Sequence, residues 1–421
     1  MTPEIVTILR GKRVVLAATG SIAVYKAVDL ASKLTQASAL VDVIMSEAAE
    51  RFVTPLTFQS VTGRPVYDSL WQSSGGGALP THIAHVGLGE AADLLVVAPA
   101  TANTLAKLAA GAADDLLTVT ALAARCPLLL APAMDGGMYQ HPATQASLRT
   151  LTERGALLIE PEEGRFASGL VGRGRLPETA TLMGHIRLAL AQRGALAGMR
   201  VIVTAGGTRE PIDPVRYITN ESSGKQGYAL AQAALDAGAA VTLVSAARDL
   251  PPPVGARLIL VDSARTMQAA VLEEAGQADA LLMAAAVADF RPASVAEQKI
   301  KKSDNPDEGM VVELARNPDI LLAVKEQRGS SSRPLVVVGF AAESEDLLEN
   351  ASGKLARKGL DLIVANDISA TDAGFRVDTN RVVLLDASGA QQPVELASKT
   401  TIAEIVVSRV ATLLEERTRS T

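Results

Sequence analysis

A chain of 421 residues is too long for one ordinary hydrophobic core, so we expect two domains of about 200 residues each. Hydrophobic residues make up 48% of the chain and aromatic residues only 3%, which is typical of parallel strands and covering helices built from Ala, Val, Leu and Ile. The net charge of −6, without a basic block, excludes a nucleic-acid binder held by phosphate contacts.

The single cysteine, Cys126, excludes an intramolecular disulfide framework and suits a reducing compartment. It precedes an apolar run, so we interpret it as a structural thiol. No apolar run reaches the ~20 residues of a membrane helix, and no apolar segment of a secretory signal precedes Arg10. We therefore expect a soluble, cytoplasmic protein.

Apolar runs alternate with helical stretches along the chain, which is the pattern of parallel sheets with crossover helices. A Gly-bearing stretch at 194–198 follows a predicted helix at 181–193, so the predicted domains are 1–193 and 194–421. The fold class is α/β, with two doubly wound Rossmann-like domains. The predicted strands are 14–17, 40–44, 94–97, 127–130 and 157–159, then 201–203, 241–244, 258–261, 281–283, 336–338 and 362–364, with 382–385 in a late hairpin.

The first predicted strand leads into ATGSIAVYK at 18–26, where Gly20 and Ser21 can direct donors at an anion near a helix start. The motif lacks the G-x-G-x-x-G spacing of a dinucleotide site, which favours a mononucleotide over NAD. Two further strand ends carry PATAN at 99–103 and PAMDGGM at 132–138. Because ligands of open α/β sheets gather at such ends, we expect a nucleotide site there, with simple helix capping as the alternative.

Two of the four histidines, His82 and His85, are spaced so that they can share one helical face. No cysteine or acidic cluster completes a ligand set, so we predict no metal site formed by protein ligands alone. We interpret His85, placed just before a predicted helix, as an acid/base group. A capping or solvent-facing histidine is the alternative.

Together with ASGLVGRGRL at 167–176, these motifs resemble the flavin-dependent cysteine decarboxylase family. The resemblance implies a flavodoxin-like domain with FMN held between the subunits of a trimer, and oxidative decarboxylation of a peptide-like cysteine. It implies catalytic roles for His85, Asp135 and Ser168. The FMN contacts that it implies are Gly20, Ser21, Ile22, Ala23, Ser46, Pro99, Ala100, Thr101, Ala102, Asn103 and Met134.

Two positions depart from the pattern of that family. Asp135 stands where the family commonly has Asn against the substrate carboxylate, and an ionised Asp would repel that carboxylate unless it is protonated or aimed elsewhere. Ser168 replaces the usual proton-donating Cys, and a hydroxyl is a much weaker acid than a thiol. Both changes bear on the reductive half of the reaction more than on flavin binding.

The second domain opens with TAGGTREPIDPVRYITNESSGKQG at 204–227, where Gly206 and Gly207 permit close backbone approach to a ligand and a helix starts at 222–225. Thr219 and Gln226 occupy positions that need Gly and Ser/Thr in a P-loop, which excludes that motif.

Further along, a strand end delivers Asp289, and the irregular segment after it ends in Lys299, Lys301 and Lys302. We interpret this segment as a basic lid over a polyphosphate, with a charged surface loop as the alternative. Lys354 and Lys358, four apart on a predicted helix, repel each other unless an anion neutralises them.

These motifs resemble phosphopantothenate-cysteine ligase from about residue 199 to residue 410. The resemblance implies that 4'-phosphopantothenate attacks CTP to form an acyl-cytidylate, that cysteine displaces CMP, and that Mg²⁺ accompanies CTP. Asn220 would hold the acyl intermediate, Arg216 the pantothenate phosphate, and Lys299 the reacting phosphate. The CTP contacts that it implies are Met283, Ala284, Ala285, Asp289, Lys299, Pro318, Asp319, Ile320, Leu321, Phe340, Lys354 and Lys358.

The two halves in this order resemble the bifunctional decarboxylase/ligase family of coenzyme A biosynthesis. That resemblance implies a homo-oligomer, with flavin-domain trimers joined through ligase-domain dimers into a dodecamer. Two alternatives stay open: an active ligase whose flavin domain is only an assembly scaffold, and a CTP-sensing regulatory protein.

Overall fold

The computed structural model describes residues 6–71, 81, 83–301, 309–343, 347–367 and 379–419. The chain divides into two units, Met1–Gln192 and Arg193–Thr421, where the sequence predicts a boundary after residue 193. In the described part of the chain, no helix combines the length and apolar character needed to cross a bilayer.

Unit 1 contains a six-stranded parallel sheet in the order β3-β2-β1-β4-β5-β6. This is the Rossmann order, whereas flavodoxin itself has the order 2-1-3-4-5. A small antiparallel hairpin, β7–β8, follows the sheet. The strands are β1 Arg13–Ala18, β2 Leu40–Met45, β3 Val66–Tyr67, β4 Leu94–Ala100, β5 Leu128–Pro132, β6 Leu157–Leu158, β7 Glu162–Arg165 and β8 Val171–Arg175; the helices are α1 Val24–Gln36, α2 Glu47–Glu50, α3 Pro55–Thr62, α4 Ala84–Ala91, α5 Ala102–Ala110, α6 Leu116–Ala123, α7 Gly136–Gln140, α8 Pro142–Glu153 and α9 Thr179–Ala191.

Helices cover both faces of this sheet because successive strand residues enter different cores. Leu16 of β1 lies in the core that includes Leu30 of α1, and its neighbour Ala17 lies in the core that includes Leu88 of α4. Near the start of β5, Cys126 is partly buried, and burial raises the pKa of its thiol. That thiol therefore stays protonated at neutral pH, as a structural cysteine would.

Unit 2 contains an eight-stranded sheet in the order β13-β12-β9-β14-β17-β18-β19-β20. The first six strands are parallel, and β19 and β20 form the predicted late antiparallel hairpin. One face carries a core shared with α11, α12 and α13, and α10 and α14 pack on each other and on the sheet outside that core. The strands are β9 Arg200–Ala205, β10 Arg209–Asp213, β11 Arg216–Thr219, β12 Ala240–Ser245, β13 Arg257–Leu260, β14 Ala280–Met283, β15 Phe290–Pro292, β16 Leu314–Arg316, β17 Val336–Glu343, β18 Leu362–Asp367, β19 Thr379–Asp386 and β20 Gln391–Ser398; the helices are α10 Lys225–Asp236, α11 Ala264–Ala275, α12 Ile320–Ser331, α13 Leu347–Lys358 and α14 Lys399–Arg419.

The doubly wound α/β prediction is confirmed, but four short features were not predicted. These are β3, the hairpins β7–β8 and β10–β11, and the antiparallel strand pair β15–β16. The hairpins are formed by charged, Gly- and Pro-bearing segments such as EEGR and REPID. Such segments lack the apolar runs from which strands are predicted.

The glycine turn after β9 is packed against the protein itself. Gly206 has φ +84°, and a Cβ there would lie 2.4 Å from the backbone nitrogen of Ala247. A Cβ on Gly207 would lie 2.7 Å from the carbonyl oxygen of Asn220. The sequence predicted that these glycines permit close approach to a ligand; in the structure they permit the close approach of three backbone segments.

We expect Gly206→Ala to destabilise unit 2 more than Gly198→Ala, by about 1–3 kcal/mol. Both glycines have positive φ, +84° and +81°, so an alanine strains the backbone similarly at each, but no atom lies within 4 Å of a Cβ at position 198. Calorimetric unfolding of the two full-length variants measures the difference. Equal shifts in the unfolding midpoint would show that the close packing at Gly206 contributes nothing.

Candidate functional sites

The three predicted motifs of unit 1 lie at the carboxyl ends of adjacent strands β1, β4 and β5. The buried Thr19 hydroxyl donates to the Pro99 carbonyl at 2.6 Å and accepts from the Thr101 N–H at 3.1 Å. A Cβ on Gly20 would lie 2.4 Å from the Ala48 side chain, so the turn after β1 also abuts α2. The sheet therefore brings the motifs of residues 18–26 and 99–103 together.

Helix capping, the alternative weighed for these motifs, accounts for several of the predicted hydroxyls. Ser46 accepts from the Ala49 N–H at 3.3 Å and caps α2, and Thr101 accepts from the Thr104 N–H at 3.3 Å and caps α5. The Ser21 hydroxyl accepts from the Ala23 N–H at 3.3 Å. These three side chains are therefore engaged locally, and any ligand here would meet the helix starts that they form.

A cavity of about 480 Å³ opens beside the starts of α1 and α7. The hairpin β7–β8 forms one wall of the cavity. It is held there by a hydrogen bond from the Met134 N–H to the Gly174 carbonyl at 3.0 Å. Among the predicted residues, its described lining includes Ser21, Ile22, Ala23, Met134, Asp135 and Ser168. The predicted residues outside that described lining are Gly20, Ser46, His85, Pro99, Ala100, Thr101, Ala102 and Asn103.

His85 differs from its predicted placement. It was expected just before a helix, but it is the second residue of α4 and is partly buried. The helix begins earlier because Ile83, with extended backbone, takes the capping position. Its sequence neighbour His82 lies outside the described residues.

The two residues that depart from the flavin-dependent family pattern contact each other. Ser168 donates its hydroxyl proton to Asp135 Oδ2 at 2.9 Å, and Asp135 Oδ1 accepts from the Gly137 N–H at 3.2 Å. Asp135 also caps the N-terminus of α7, where the helix dipole favours negative charge. The carboxylate is therefore turned towards its own donors.

Sequence analysis missed three cationic residues on this cavity, Lys26, Arg165 and Arg175. Lys26 is almost buried and donates to the Leu176 carbonyl at 2.8 Å and to Glu178 at 2.7 Å. Its hydrogen bond lowers the pKa of the Glu178 carboxyl. Lys26 and Arg175 stand in the motifs at 18–26 and 167–176, but nothing in those motifs relates them to each other or to Arg165. The folded hairpin and α1 bring the three side chains to one cavity.

In unit 2, two neighbouring cavities of about 650 and about 420 Å³ follow the carboxyl edge of β14 and β17. They share Ala285, Val287, Asp289 and Phe340. Every predicted nucleotide contact except Lys299 lines one of them. The larger cavity includes Met283, Pro318, Asp319, Ile320, Leu321 and Lys358, and the smaller includes Asn220, Ala284 and Lys354.

Asp319 links the start of α12 to Lys358 on α13. Its Oδ1 accepts from the N–H groups of Leu321 and Leu322 at 3.1 and 3.2 Å, and its Oδ2 lies 3.0 Å from the Lys358 ammonium. Lys358 therefore has a carboxylate partner, which offsets part of its repulsion from Lys354.

Helix α10 points its first turn at the smaller cavity, as the sequence predicts. Ser222, Ser223, Gly224 and Lys225 line it, and Gly224 caps the helix with φ +78°. Asn220 fastens the preceding loop by donating to the Val287 carbonyl at 3.2 Å. N–H groups at a helix start attract anions, and here those of Gly224 and Lys225 lie 3.4 and 3.5 Å from the hydroxyls of Ser222 and Ser223.

The smaller cavity also contains three polar residues that were not predicted as part of the site, Gln226, Asn380 and Lys399, together with Asn366, which was expected there at the end of a predicted strand. Gln226 donates to the Lys399 carbonyl at 3.2 Å, and its Oε1 and the Oδ1 of Asn366 are buried without a hydrogen-bond partner among the described residues. Because these residues come from four different elements, α10, β18, β19 and α14, no spacing in the sequence relates them.

Arg216 and Lys299 lie outside the described linings of both cavities. The Arg216 guanidinium contacts Asp213 at 3.3 Å and donates to the carbonyl of Ile300. Lys299, next to Ile300, is exposed. The structure thus brings these two residues together at the hairpin β10–β11, while Lys302 lies outside the described residues.

Comparisons with known proteins agree with this two-part architecture. Residues 6–190 match the family described as Flavoprotein, and residues 196–414 match the family described as DNA/pantothenate metabolism flavoprotein C-terminal domain. The chain is 45% identical over 411 residues to the coenzyme A biosynthesis bifunctional protein CoaBC of Bacillus subtilis (strain 168), covering 97% of this chain and 98% of that protein. It is 46% identical over 399 residues to the protein of the same name from Vibrio cholerae, covering 95% and 98%. A crystal structure of the C-terminal domain of a CoaBC protein is 36% identical, with a TM-score of 0.45, and matches 53% of this chain and 99% of that one.

Proposed function

The chain belongs to the family of coenzyme A biosynthesis bifunctional proteins, and from that membership we propose how its two units divide the chemistry. Residues 1–193 form an FMN-dependent phosphopantothenoylcysteine decarboxylase domain, and residues 194–421 form a CTP-dependent phosphopantothenate-cysteine ligase domain. The observation that carries the proposal is the convergence of the predicted nucleotide contacts, from strand ends and helices far apart in sequence, on two adjoining cavities.

In the ligase unit, the carboxylate of 4'-phosphopantothenate attacks the α-phosphate of CTP and pyrophosphate leaves. The cysteine amine then displaces CMP from the acyl-cytidylate. Lys354 and Lys358 balance the charge of the triphosphate, and the start of α10 donates N–H groups to a phosphate or carboxylate. Asp289 lines both cavities, and its carboxylate would contribute an oxygen ligand to Mg²⁺ bound with CTP.

Asn220 holds the acyl intermediate, and its bond to the Val287 carbonyl orients it there. Arg216 and Lys299 serve the phosphate of pantothenate and the reacting phosphate. Lys299 stabilises the charge that develops as pyrophosphate leaves, an interaction worth most in the transition state.

In the decarboxylase unit, the lining of the cavity fits FMN by its chemistry. The start of the 13-residue helix α1 offers N–H groups to a phosphate, and Ile22, Met134 and Leu176 offer apolar surface to a ring system. FMN, when bound, oxidises the substrate thiol to a thioaldehyde, from which CO2 can leave. Arg165 and Arg175 supply the positive charge that the substrate carboxylate requires next to Asp135.

The Ser168 hydroxyl donates to one oxygen of Asp135, so that this oxygen does not face the substrate carboxylate. A hydroxyl that donates to a carboxylate holds its proton in that bond, so Ser168 is not the final proton donor. His85 lies on α4, outside this lining, and would act as an acid/base group in the corresponding site of another subunit.

The exposed apolar edge of this cavity supports a homo-oligomeric arrangement. Ile22 is 59% exposed and Tyr25 is 60% exposed, and both line it. A second subunit would cover that edge. We place the protein in the cytoplasm, as trimers of unit 1 joined through dimers of unit 2 into a dodecamer.

Light scattering of the purified protein tests this arrangement. We expect a mass several times that of one chain, because a lone unit 1 would leave the flavin edge open to water. A monomeric mass at micromolar concentration would contradict the proposed assembly.

For the decarboxylase, we expect the flavin-loaded protein to release CO2 from 4'-phosphopantothenoylcysteine. Ser168→Ala should change the rate of saturated-thiol formation by less than about threefold, whereas loss of a true general acid costs about 10²–10⁴-fold. Trapped CO2 and mass spectrometry of the thiol product measure both steps. Bound flavin without CO2 release would instead support the scaffold alternative.

For the ligase, we expect Lys299→Gln to lower kcat for pyrophosphate release by about 10²–10³-fold, because the lysine acts on the transition state. The Kd for CTP should change by less than about threefold, since the other cavity residues remain. Calorimetric CTP binding and a coupled pyrophosphate assay give the two values. CTP binding by the unaltered protein with no pyrophosphate release would favour the regulatory alternative.

A further inference from the structure

The Lys299 segment is fastened to the hairpin β10–β11 on both sides of the lysine. The Ala296 N–H donates to the Ile212 carbonyl at 3.0 Å. The Ile300 N–H donates to Asp213 Oδ2 at 3.2 Å, and the Ile300 carbonyl accepts from Arg216. The position of Lys299 in the described chain is therefore set by the hairpin.

The two carboxylate oxygens of Asp213 contact different groups and have different roles. Oδ1 accepts from the N–H groups of Val215 and Arg216, both at 2.9 Å, and so shapes the hairpin turn. Oδ2 accepts from the Ile300 N–H and contacts Arg216 Nε at 3.3 Å. Desolvation alone would raise the pKa of the Asp213 carboxyl, but hydrogen bonds from the backbone of Val215, Ile300 and Arg216 hold it below its ordinary value. The group is 2% exposed and ionised at neutral pH.

Asp213 is the last residue of strand β10 and begins the turn of the hairpin β10–β11. This hairpin is itself anchored to the rest of unit 2, and it leads to the smaller cavity. The buried Glu210 accepts from the Ala264 N–H at 2.9 Å, which anchors β10 to α11. Strand β11 ends at Thr219, and the next residue, Asn220, lines the smaller cavity. One anchored element therefore carries Asn220 and holds the Lys299 segment.

We propose that Asp213 is a positioning residue for ligation: its Oδ2 tethers Ile300 and thereby fixes Lys299 relative to Asn220. This inference rests on the proposed role of Lys299. It explains why a buried carboxylate at the end of a hairpin accepts from a segment 87 residues away, a bond that the hairpin turn does not require.

Asp213→Asn separates the two roles of this carboxylate. With its one oxygen in place of Oδ1, the amide keeps the turn bonds, but its NH2 group faces two donors, Ile300 N–H and Arg216 Nε. We expect kcat for pyrophosphate release to fall by about 10- to 100-fold, as small displacements of a catalytic group do, with the Kd for CTP within about threefold.

Asp386 provides the matched control. Its Oδ1 accepts from the N–H groups of Ser388 and Ala390 at 2.9 and 3.1 Å, and its Oδ2 binds Arg409 at 2.7 Å. It is 5% exposed and pairs with Leu362, the first residue of β18, so it lies at the opposite edge of the sheet from the cavities. Asp386→Asn should lower the thermal midpoint about as much as Asp213→Asn while leaving kcat within about twofold.

A double-mutant cycle with Lys299→Gln gives the readout that a purely structural role would not change. If Asp213 acts through Lys299, adding Asp213→Asn to Lys299→Gln should lower kcat by less than about twofold further. The proposal would be overturned if the two substitutions lowered kcat by the product of their separate effects, or if Asp213→Asn had a normal kcat. A normal kcat in Lys299→Gln alone would instead overturn the proposed role of that lysine.

Hydrogen exchange tests the bond between Asp213 and Ile300 independently of ligase activity. Peptides covering 296–301 should exchange at least about tenfold faster in Asp213→Asn than in Asp386→Asn, because only the first variant loses the tether of this segment. Equal exchange in the two variants would overturn the proposal. If Asp213→Asn fails to fold, Ile300→Pro removes the donated N–H, and it also fixes φ at residue 300 and restricts the backbone of Lys299. An unchanged kcat in that variant would equally contradict the tether.

Discussion

A buried threonine hydroxyl at the centre of each sheet holds together the loops on which both sites depend. In unit 1, Thr19 bonds across to Pro99 and Thr101 at the end of β4. In unit 2, Thr204 on β9 accepts from the Ala285 N–H at 3.1 Å, just after β14. Both bonds lie at the switch point of a Rossmann-ordered sheet, where ligands of this fold bind. A neighbouring glycine repeats the symmetry, since Gly20 abuts Ala48 and Gly206 abuts Ala247, each just after the next strand.

These constraints explain how much could be predicted from the sequence. The parallel strands are buried on both faces, so they form apolar runs, and residues just after such runs, like Asp289 and the motif at 99–103, were correctly expected at the edge of a sheet. The hairpins have no such signal, and they supply Arg165 and Arg175 to one cavity and Asp213 to the Lys299 segment. The contacts that could not be predicted are those between elements that no local sequence pattern links.

The contact between Asp135 and Ser168 changes how two unusual residues are understood. Considered separately, each weakens the resemblance to flavin-dependent decarboxylases. In the structure they form one hydrogen-bonded pair at 2.9 Å, with a second donor from Gly137 on the carboxylate. In the proposed decarboxylase, these two bonds would offset part of the charge of Asp135 and would engage the Ser168 hydroxyl, so that another group would supply the final proton.

The central claim is that one chain performs ligation and decarboxylation in sequence. The most direct measurement supplies one purified, flavin-loaded preparation with 4'-phosphopantothenate, cysteine, CTP and Mg²⁺, and follows all products by mass spectrometry. The account predicts CMP, pyrophosphate and 4'-phosphopantetheine, with 4'-phosphopantothenoylcysteine only as a transient species. Accumulation of 4'-phosphopantothenoylcysteine without any 4'-phosphopantetheine would contradict it.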